Sequence, residues 1–409
     1  MSSPDPVLLK AIAIHKAGRM AEAKAMYQRI LRRRPRDPDA LNFLGMLEFQ
    51  QGNKARGIEL LQQSVQSAPG NPHAWMNIGN MLLSAGDSEQ AADAYRRATE
   101  LAPQMWQAWY NRATCLRRLR RLEETMECLK TAISLHPQHD LAYERLGQIL
   151  YRAGKTQELA ELYRDWVRYN PDNPTARHMY AAAAGEAVPD RASDDYVRTT
   201  FDSFAESFDE DLEELGYRAP QLLAEALQRH LGPPGEHESL DVLDAGAGTG
   251  LCGPLLRDRA RSLTGVDLSK AMLAKARSRG TYDELVEMEL CEFMRSRPAG
   301  FDVVLSADTL VYFGALEQAI EAARRCLRPG GVLTFTVERW DTTDEGTGYR
   351  MGAHGRYMHE RKYVARALGE AGYELLELSP AVLRTELGTD VQGLVVVAAR
   401  SRDDAIPTG

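Results

Sequence analysis

The sequence predicts two parts, an all-α array of helical repeats followed by an α/β domain with a mostly parallel sheet. Two observations lead to this fold class. Residues 4–173 repeat with a period of 34 residues, and the second half of the chain holds short apolar runs, one leading into Gly246, Gly248 and Gly250. Self-similarity at a fixed period is typical of solenoids. A strand that passes through a Gly-rich turn into a helix is typical of a doubly wound sheet.

The composition fits a soluble protein of two domains. The chain has 409 residues, 44% of them hydrophobic and 26% charged, with a net charge of −8. This negative charge argues against nucleic acid as a partner. The five cysteines include no Cys-x-x-Cys pair, no signal peptide is recognisable, and no apolar run approaches the ~20 residues that span a bilayer. We therefore expect a cytoplasmic protein without a membrane span, a metal site or a nucleic-acid partner.

The first part consists of five units of 34 residues. Each unit has a small residue at position 8, a large one at position 24 and a proline at position 32. The small residue lets two helices approach closely, the large one fills the groove beside it, and the proline stops the second helix. The units run 4–37, 38–71, 72–105, 106–139 and 140–173, with small residues Ala11, Gly45, Gly79, Ala113 and Gly147, large residues Tyr27, Leu61, Tyr95, Leu129 and Tyr163, and prolines Pro35, Pro69, Pro103, Pro137 and Pro171.

This pattern resembles the tetratricopeptide repeat (TPR) in all five units. The resemblance implies a concave surface that binds a protein or peptide partner. The alternatives are that the array supports the second domain or mediates self-association. The arginine-rich stretches at 32–34 and 117–121 are interpreted as solvated helix ends. The predicted domains are a TPR solenoid at 4–185 that ends in a capping helix, a linker at 186–195 and a second domain at 196–400.

The second domain begins with a strand, Leu240–Ala245, and a glycine turn. The turn would bring backbone N–H groups close to a ligand, because Gly246, Gly248 and Gly250 place no Cβ atoms there. A dinucleotide fingerprint, Gly-x-Gly-x-x-Gly, would have to begin two residues late. With Asp244 before it, the Gly-x-Gly-x-Gly spacing resembles motif I of class I S-adenosylmethionine-dependent methyltransferases, which have a Rossmann-like sheet. The resemblance implies that Asp244 and the turn, including Ala247, bind this cofactor.

A second strand should end in an acid that binds the ribose hydroxyls, and Ser262–Val266 runs into Asp267. A carboxylate can accept hydrogen bonds from both hydroxyls; the alternative is that Asp267 caps the next helix. Leu268 and Met272 would lie towards the adenine. By resemblance, Glu289 after the third strand would face the adenine amino group with Leu290 beside it, although the family usually has Asp there. The alternative for this stretch is a solvated charge run.

The fourth strand, Phe301–Ala307, ends at Asp308. The carboxyl ends of strands one and four flank the switch point of an open parallel sheet, where ligands bind. Asp308 and Tyr312 are therefore expected near the methyl group and its acceptor, with Asp308 also a cofactor contact. The stretch 327–331, Leu-Arg-Pro-Gly-Gly, predicts a tight turn into a fifth strand at 332–337 and is a further point of resemblance. Runs at 373–379 and 391–399 predict a closing antiparallel pair.

Two segments outside the sheet complete the predicted site. The phenylalanines of 201–209 resemble the N-terminal lid of small-molecule methyltransferases, although most are interpreted as helical core, and Tyr217 is kept as a cofactor contact. A polar loop at 341–359 would close over the acceptor. Its candidate general base is His354, chosen among several His and Tyr residues, and His359 would cap the following helix.

The resemblance thus implies an S-adenosylmethionine-dependent methyltransferase whose acceptor is unidentified. Fusion to a peptide-binding array favours a macromolecular acceptor, whereas an aromatic lid favours a small or lipophilic one. Two alternatives remain open. The chain could be a TPR adaptor whose second domain senses the cofactor or has lost activity. It could also be an NAD-dependent oxidoreductase, because Asp267 could equally bind the ribose of NAD.

Overall fold

The computed structural model describes residues 5–233, 240–341, 346–386 and 388–402. The chain divides into two compact units, Met1–Lys155 and Thr156–Gly409. Each unit is treated separately below. Within the described residues, no helix has the length and apolar character needed to cross a membrane. All five cysteines are buried as free thiols.

The first unit is a series of antiparallel helix pairs whose boundaries follow the 34-residue period. The first helix of repeats two to five begins at the first residue of the 34-residue repeat. The second helix of every repeat ends two residues before the proline at position 32. The predicted stop signal is therefore confirmed. The helices are α1 (Pro6–Lys16), α2 (Met20–Arg33), α3 (Pro38–Gln50), α4 (Lys54–Ser67), α5 (Pro72–Ser84), α6 (Ser88–Leu101), α7 (Trp106–Arg118), α8 (Leu122–Leu135) and α9 (Asp140–Arg152).

The small residues at position 8 have the predicted packing role. A Cβ atom added to Gly79 would lie 2.7 Å from the ring of Tyr95, the large residue at position 24 of the same unit. A Cβ atom on Gly45 would lie 2.9 Å from the Gly57 carbonyl and 3.2 Å from Leu61. Real Cβ atoms do not approach neighbours so closely, so glycine sets the distance between the paired helices.

The second unit begins with five helices that precede its sheet. Asn173 caps α11 by accepting hydrogen bonds from the amides of Thr175 and Ala176, at 2.9 and 3.1 Å, and Gly185 ends it with a left-handed φ of 67°. Such caps satisfy the free backbone groups at the helix ends. The helices are α10 (Thr156–Tyr169), α11 (Pro174–Ala184), α12 (Asp194–Phe204), α13 (Phe208–Glu214) and α14 (Ala219–Leu231). The domain boundaries predicted at 185 and 196 remain predictions.

In the described part of the chain, the rest of this unit contains a sheet of nine strands and the helices that pack on it. Five parallel strands lie in the order β3, β2, β1, β4 and β5; β9 pairs antiparallel with β5, and β8 pairs with β9. Chain order reverses between β1 and β4, which makes this the switch point. The strands are β1 (Leu240–Ala245), β2 (Ala260–Asp267), β3 (Glu284–Glu287), β4 (Phe301–Ser306), β5 (Leu327–Arg339), β6 (Tyr349–Met351), β7 (Tyr357–His359), β8 (Tyr373–Glu386) and β9 (Thr389–Arg400).

Helices cover both faces of the sheet. Alternate strand residues divide between two apolar clusters, with Leu243 and Val304 in one and Val242 and Val303 in the other. The first cluster packs under α17, α18 and α19, and the second under α14 and α15. These helices, with α16, are α15 (Gly253–Leu256), α16 (Lys270–Arg279), α17 (Leu290–Ser296), α18 (Glu317–Cys326) and α19 (Arg361–Glu370). The predicted helical repeats and Rossmann-like sheet are confirmed.

Two local predictions need correction. The segment at 341–359 is not a structureless loop: β6 and β7 form an antiparallel pair, and β7 extends the edge of β5 at Glu338 and Arg339. Backbone hydrogen bonds hold these two short strands together, and the polar composition of the segment gave no sign of them in the sequence. Part of the predicted loop, 342–345, lies outside the described residues. The stretch 327–331 belongs to β5 and does not precede it, although Gly330 has a turn-like φ of 80°.

Candidate active site

The glycine turn lies at the carboxyl end of β1. Gly246, Gly248 and Gly250 all have positive φ, at 87°, 55° and 85°, a conformation that side chains disfavour. A Cβ atom on Gly246 would come within 2.2 Å of Thr309, so this glycine permits contact between the turn and the end of β4. Around Gly248, by contrast, an added Cβ atom meets nothing within 4 Å. The turn therefore packs against Thr309 at Gly246, whereas the space beside Gly248 is open.

Asp267 joins the end of β2 to this turn. One carboxylate oxygen accepts a hydrogen bond from the Gly248 amide at 2.9 Å, and the other accepts one from the Ser269 amide at 2.8 Å. Burial raises the pKa of Asp267, and these amides oppose the rise. A carboxylate oxygen has two lone pairs, so both oxygens can also accept from a ligand hydroxyl. The N-cap of α16 is Ser269 and not Asp267, because the Ser269 hydroxyl accepts from the Met272 amide at 3.1 Å.

Asp244 is completely buried at the end of β1. One oxygen accepts a hydrogen bond from the Tyr282 hydroxyl at 2.6 Å, and the other has no partner among the described residues. Burial raises the pKa of Asp244 to about 7, with the nearby Asp267 adding to the rise. A buried acceptor without a donor is costly, so this oxygen is a ready site for a ligand N–H group.

Asp308 occupies the equivalent place at the end of β4. It has a left-handed φ of 55°, a backbone strain that is concentrated at functional sites. Its amide donates to the Thr336 hydroxyl at 2.9 Å, and one carboxylate oxygen forms an ion pair with Arg384 on β8. The other oxygen is buried and has no partner within the described part of the chain. Asp244 and Asp308 therefore each offer one free acceptor beside the switch point.

Asp308 belongs to a cluster of five charged side chains, called here the Asp308 cluster. Arg384, 4% exposed, pairs with all three carboxyl groups, including Glu386 at 2.6 Å. Arg356 pairs with Glu338 and Glu386, each at 2.6 Å. The arginines lower the pKa of both glutamates against the effect of burial, to about 2 for Glu386. Burial raises the pKa of Asp308 although Arg384 opposes it. Three carboxyl groups thus face two guanidinium groups, which suits a cationic ligand.

Two tyrosines predicted for the site adjoin these carboxylates. Burial raises the pKa of Tyr217 well above its ordinary value, with contributions from the negative charges of Asp308 and Asp244. Burial also raises the pKa of Tyr312 to about 12, with a contribution from Asp308. The Tyr312 ring packs edge-to-face on Phe201 of α12 at 5.4 Å. Both hydroxyls therefore stay protonated near neutral pH and can act as hydrogen-bond donors.

The two histidines of the predicted loop are both buried. The Nδ1 atom of His354 accepts from the Arg356 amide at 3.1 Å, its Nε2 atom lies 3.5 Å from Glu338, and burial lowers its pKa to about 4. These contacts leave His354 poorly suited to act as a general base. His359 is not a helix cap: it ends β7, lies 3.1 Å from the Gly314 carbonyl oxygen through Nε2, and is fully buried.

The residues predicted to surround the adenine lie at the ends of β2 and β3. Met272 is buried and Leu268 is partly exposed. Glu289 caps α17 through the Glu292 amide at 2.8 Å and pairs with Arg191 at 3.0 Å, so its carboxylate is already engaged. Leu290 packs in the apolar cluster. The roles of these residues towards adenine remain predictions.

Several residues of the site were missed in the sequence because their partners are remote. Asp209, before the sheet, accepts from the Thr249 hydroxyl and pairs with Arg279; Asp202 accepts from the Ser269 hydroxyl at 2.6 Å. These contacts connect α12 and α13 to the glycine turn and to α16. Glu338 could have been found from sequence, since it is an acid within a strand-length apolar run.

The site fits S-adenosylmethionine. Its methionine ammonium group needs acceptors, and the oxygens of Asp244 and Asp308 that have no partner among the described residues would provide them. Its ribose hydroxyls need a carboxylate at the end of β2, where Asp267 stands. Its passage over the turn needs open space, which exists at Gly248.

Comparisons with known proteins agree with this geometry. Residues 243–335 match the family model described as a methyltransferase domain, and residues 8–72, 76–124 and 127–174 match the tetratricopeptide repeat model. The chain therefore combines N-terminal TPRs with a domain of the methyltransferase type, as predicted. Neither model is that of an oxidoreductase, and the NAD-dependent alternative gains no support.

Curated relatives resemble part of the chain. A malonyl-[acyl-carrier protein] O-methyltransferase of Enterobacter lignolyticus is 38% identical over 25% of this chain and 41% of its own length; that of Geobacter sulfurreducens is 32% identical over 34% and 58%. Human methyltransferase-like protein 27 is 35% identical over 40% of this chain and 64% of its own. A crystal structure of MamA covers 39% of this chain and 94% of its own, with a TM-score of 0.37 and 20% identity. The chain thus spans less than two thirds of these curated relatives.

Proposed function

We propose that this protein is an S-adenosylmethionine-dependent methyltransferase whose TPR array binds a protein partner or substrate. The observation that carries the proposal is the pair of buried oxygens, one on Asp244 and one on Asp308, that lack a donor at the ends of β1 and β4. A cationic ligand with several N–H groups satisfies both, whereas the nicotinamide riboside end of a dinucleotide has no ammonium group to offer. The glycine turn and Asp267 supply the rest of the cofactor site.

The proposed roles of the site residues concern the cofactor first and the acceptor second. Asp267 holds the ribose, Asp244 and Asp308 hold the ammonium group, and the Gly246–Gly250 turn supports the methionine end. S-Adenosylmethionine, when bound, supplies a methyl group on a sulfonium sulfur, and the neutral thioether that remains after transfer is a good leaving group. The chain's remaining task is to orient the acceptor and exclude water. We assign Asp308 and Tyr312 to that positioning, while the engaged and weakly basic His354 is the least suited of the three candidates.

The acceptor itself is a separate question. The malonyl group of an acyl-carrier protein, named in two of the relatives above, is the first acceptor to test. Arg356 and Arg384 are both paired with carboxylates already. An acceptor without a carboxylate at the reacting atom therefore suits the Asp308 cluster better. Transfer to malonyl-acyl-carrier protein would contradict this preference without contradicting methyl transfer.

Calorimetric titration with S-adenosylmethionine tests the cofactor assignment. We expect micromolar binding by the full chain, no binding of NAD, and loss of binding in Asp267→Ala. Asp258→Ala removes an exposed carboxylate of the same unit and should bind like wild type. Absence of S-adenosylmethionine binding, or tighter binding of NAD, would overturn the proposal.

Labelled methyl transfer then separates an enzyme from an adaptor. The wild-type protein is incubated with labelled cofactor and either malonyl-acyl-carrier protein or a fractionated lysate, and Asp267→Ala serves as the inactive control. Transfer that depends on Asp267 supports catalysis. Cofactor binding without transfer to any fraction would favour the adaptor alternative, in which the domain senses the cofactor.

A further inference from the structure

The side chain of Tyr282 reaches Asp244 from the loop between α16 and β3. Tyr282 stands 38 positions after Asp244, and its hydroxyl donates to one oxygen of that carboxylate at 2.6 Å. The other oxygen has no partner among the described residues. In a buried carboxylate, a single donor decides which oxygen is engaged and which one remains as an acceptor. Tyr282 therefore determines where the remaining acceptor of Asp244 lies.

Three glycines leave the space that the Tyr282 ring occupies. A Cβ atom added to Gly250 would lie 3.0 Å from the ring, one on Gly253 would lie 2.8 Å from it, and one on Gly265 would lie 3.0 Å from it. Gly250 belongs to the glycine turn, Gly253 begins α15 and Gly265 lies in β2. Real Cβ atoms rarely approach other atoms so closely in a well-packed interior. The ring therefore passes through a narrow channel that these glycines keep open.

Arg257 anchors the backbone on both sides of Tyr282. Its guanidinium donates to the Thr281 carbonyl at 3.1 Å and to the Asp283 carboxylate at 2.8 Å. Asp283 is also joined to Leu263 of β2, because its amide donates to the Leu263 carbonyl at 2.9 Å and its carboxylate accepts from the Leu263 amide at 2.7 Å. A side chain on an anchored backbone has little conformational freedom left to lose when a ligand binds. The Tyr282 hydroxyl is thus held in place before any ligand arrives.

The titratable groups that face Asp244 come from four places in the fold: the end of β2 (Asp267), the residue before α15 (Cys252), the loop before α14 (Tyr217) and Tyr282. Burial raises the pKa of Asp244 to about 7; the Tyr282 hydroxyl and the Cys252 thiol oppose this rise, and Asp267 adds to it. Burial raises the pKa values of Cys252, Tyr217 and Tyr282 well above their ordinary values. All three therefore stay protonated near neutral pH, and Tyr282 is a neutral donor that favours the ionised form of Asp244.

We propose that Tyr282 is a positioning residue of the cofactor site, whose hydroxyl holds the Asp244 carboxylate so that its second oxygen accepts from the ammonium group of S-adenosylmethionine. This role rests on the proposed function, in which Asp244 binds that group. Tyr282 acts through Asp244 and not by contact with the ligand. Its effect should therefore be confined to ligands that carry the ammonium group, and it should depend on the carboxylate of Asp244.

Tyr282→Phe tests the role, because it removes the hydroxyl and keeps the ring between the glycines. Calorimetric titration of the full chain compares S-adenosylmethionine with 5′-methylthioadenosine, which has the adenosine part but no amino-acid end. At pH 7 we expect binding of S-adenosylmethionine to weaken about tenfold, as for loss of a hydrogen bond to a charged group, and binding of 5′-methylthioadenosine to stay unchanged. Equal weakening for both ligands would show that Tyr282 only supports the fold, and would overturn the inference.

Two further variants serve as controls. Tyr373→Phe removes another buried hydroxyl of the same unit, which donates to the Ile320 carbonyl at 3.3 Å, and should leave both affinities unchanged. In an Asp244→Asn background, Tyr282→Phe should weaken binding of S-adenosylmethionine by no more than about twofold, because residues that act through one another are not additive. A tenfold loss in that background as well would mean that Tyr282 acts independently of Asp244, and the inference would be wrong.

A measurement without ligand tests the contact between Tyr282 and Asp244 separately. An unfolded aspartate ionises near about pH 3.9, whereas Asp244 in the folded protein keeps its proton up to about pH 7, so this group costs stability as the pH rises between the two values. Without the Tyr282 hydroxyl the pKa of Asp244 rises, and the decrease in stability should continue to higher pH. Denaturation curves that depend on pH identically in wild type and Tyr282→Phe would overturn the inference.

The outcomes for the two proposals remain distinct. Absence of S-adenosylmethionine binding by the wild-type protein would refute the proposed function, and the role of Tyr282 towards this ligand with it. Binding by the wild type that Tyr282→Phe leaves unchanged would refute the role of Tyr282 alone.

Discussion

Arg384 on β8 forms an ion pair with Asp308 at the end of β4, a residue 76 positions earlier in the chain. The pair joins the antiparallel edge of the sheet to its switch point. The same guanidinium contacts Glu338 and Glu386, so one side chain, only 4% exposed, compensates three carboxyl groups. The closing strands therefore contribute a charged group to the candidate active site besides completing the sheet.

Replacement of Arg384 should destabilise the protein strongly. Arg384→Met leaves the buried Asp308 carboxylate without a cationic partner and Glu338 and Glu386 with Arg356 alone, and we expect the free energy of unfolding to fall by about 3–5 kcal/mol. Chemical denaturation measures the change. The matched variant Arg229→Ala breaks a pair in which Arg229 is 51% exposed, and should cost at most about 1 kcal/mol. Similar losses in the two variants would contradict a special role for the cluster.

Cofactor binding should depend on the ionisation of Asp244. Its pKa is raised to about 7, so the carboxyl group is largely neutral below that pH and ionised above it. The ionised form attracts the ammonium group of S-adenosylmethionine, and affinity should rise severalfold between about pH 6 and about pH 7, with proton release on binding. Calorimetry in buffers of different ionisation enthalpy measures the protons. Asp244→Asn should flatten the dependence, and an unchanged slope would exclude Asp244 as its origin.

Acid should destabilise the fold through His359. Burial lowers the pKa of this fully buried histidine from its ordinary value near 6.5 to about 4, so the folded state resists protonation. Stability is therefore complete above about pH 6.5 and decreases as the pH falls towards 4, by about 3 kcal/mol for this group. Denaturation curves across this range measure the loss. His359→Gln, which does not titrate, should show a shallower decrease; identical curves would refute the assignment.

The contact between Gly79 and Tyr95 should tolerate no added methyl group. In Gly79→Ala the new Cβ atom meets the tyrosine ring, and we expect a net loss of about 1–3 kcal/mol despite the better helix propensity of alanine. Thermal unfolding measures the change. Gly70→Ala is the control, because a Cβ atom there meets nothing within 4 Å. Tyr95→Leu, which reproduces the Ala113–Leu129 pair of the fourth repeat, should rescue Gly79→Ala in the double variant.

Much of the site was predictable because its residues follow strand ends directly. The glycine turn, Asp244, Asp267 and Asp308 each stand within a few residues of the end of a parallel strand, and parallel strands bring their carboxyl ends to one edge. Sequence position alone therefore fixed where they lie. The prediction was wrong for 341–359, where alternation is too short to reveal β6 and β7, and for His359, which is buried in the sheet and does not cap a helix.

The repeat register and the order of the elements could be predicted from the sequence, because both depend on local spacing: a fixed period sets the helix pairs, and apolar runs set the strands. Which charges meet could not be predicted, because it depends on how distant segments pack together. Asp308, Glu338 and Arg356 come from three separate segments, and their pairing with Arg384 and Glu386 of β8 depends on the antiparallel register of β8 and β9 beside β5. Ion pairs need side chains within a few ångströms, a distance that no sequence period specifies.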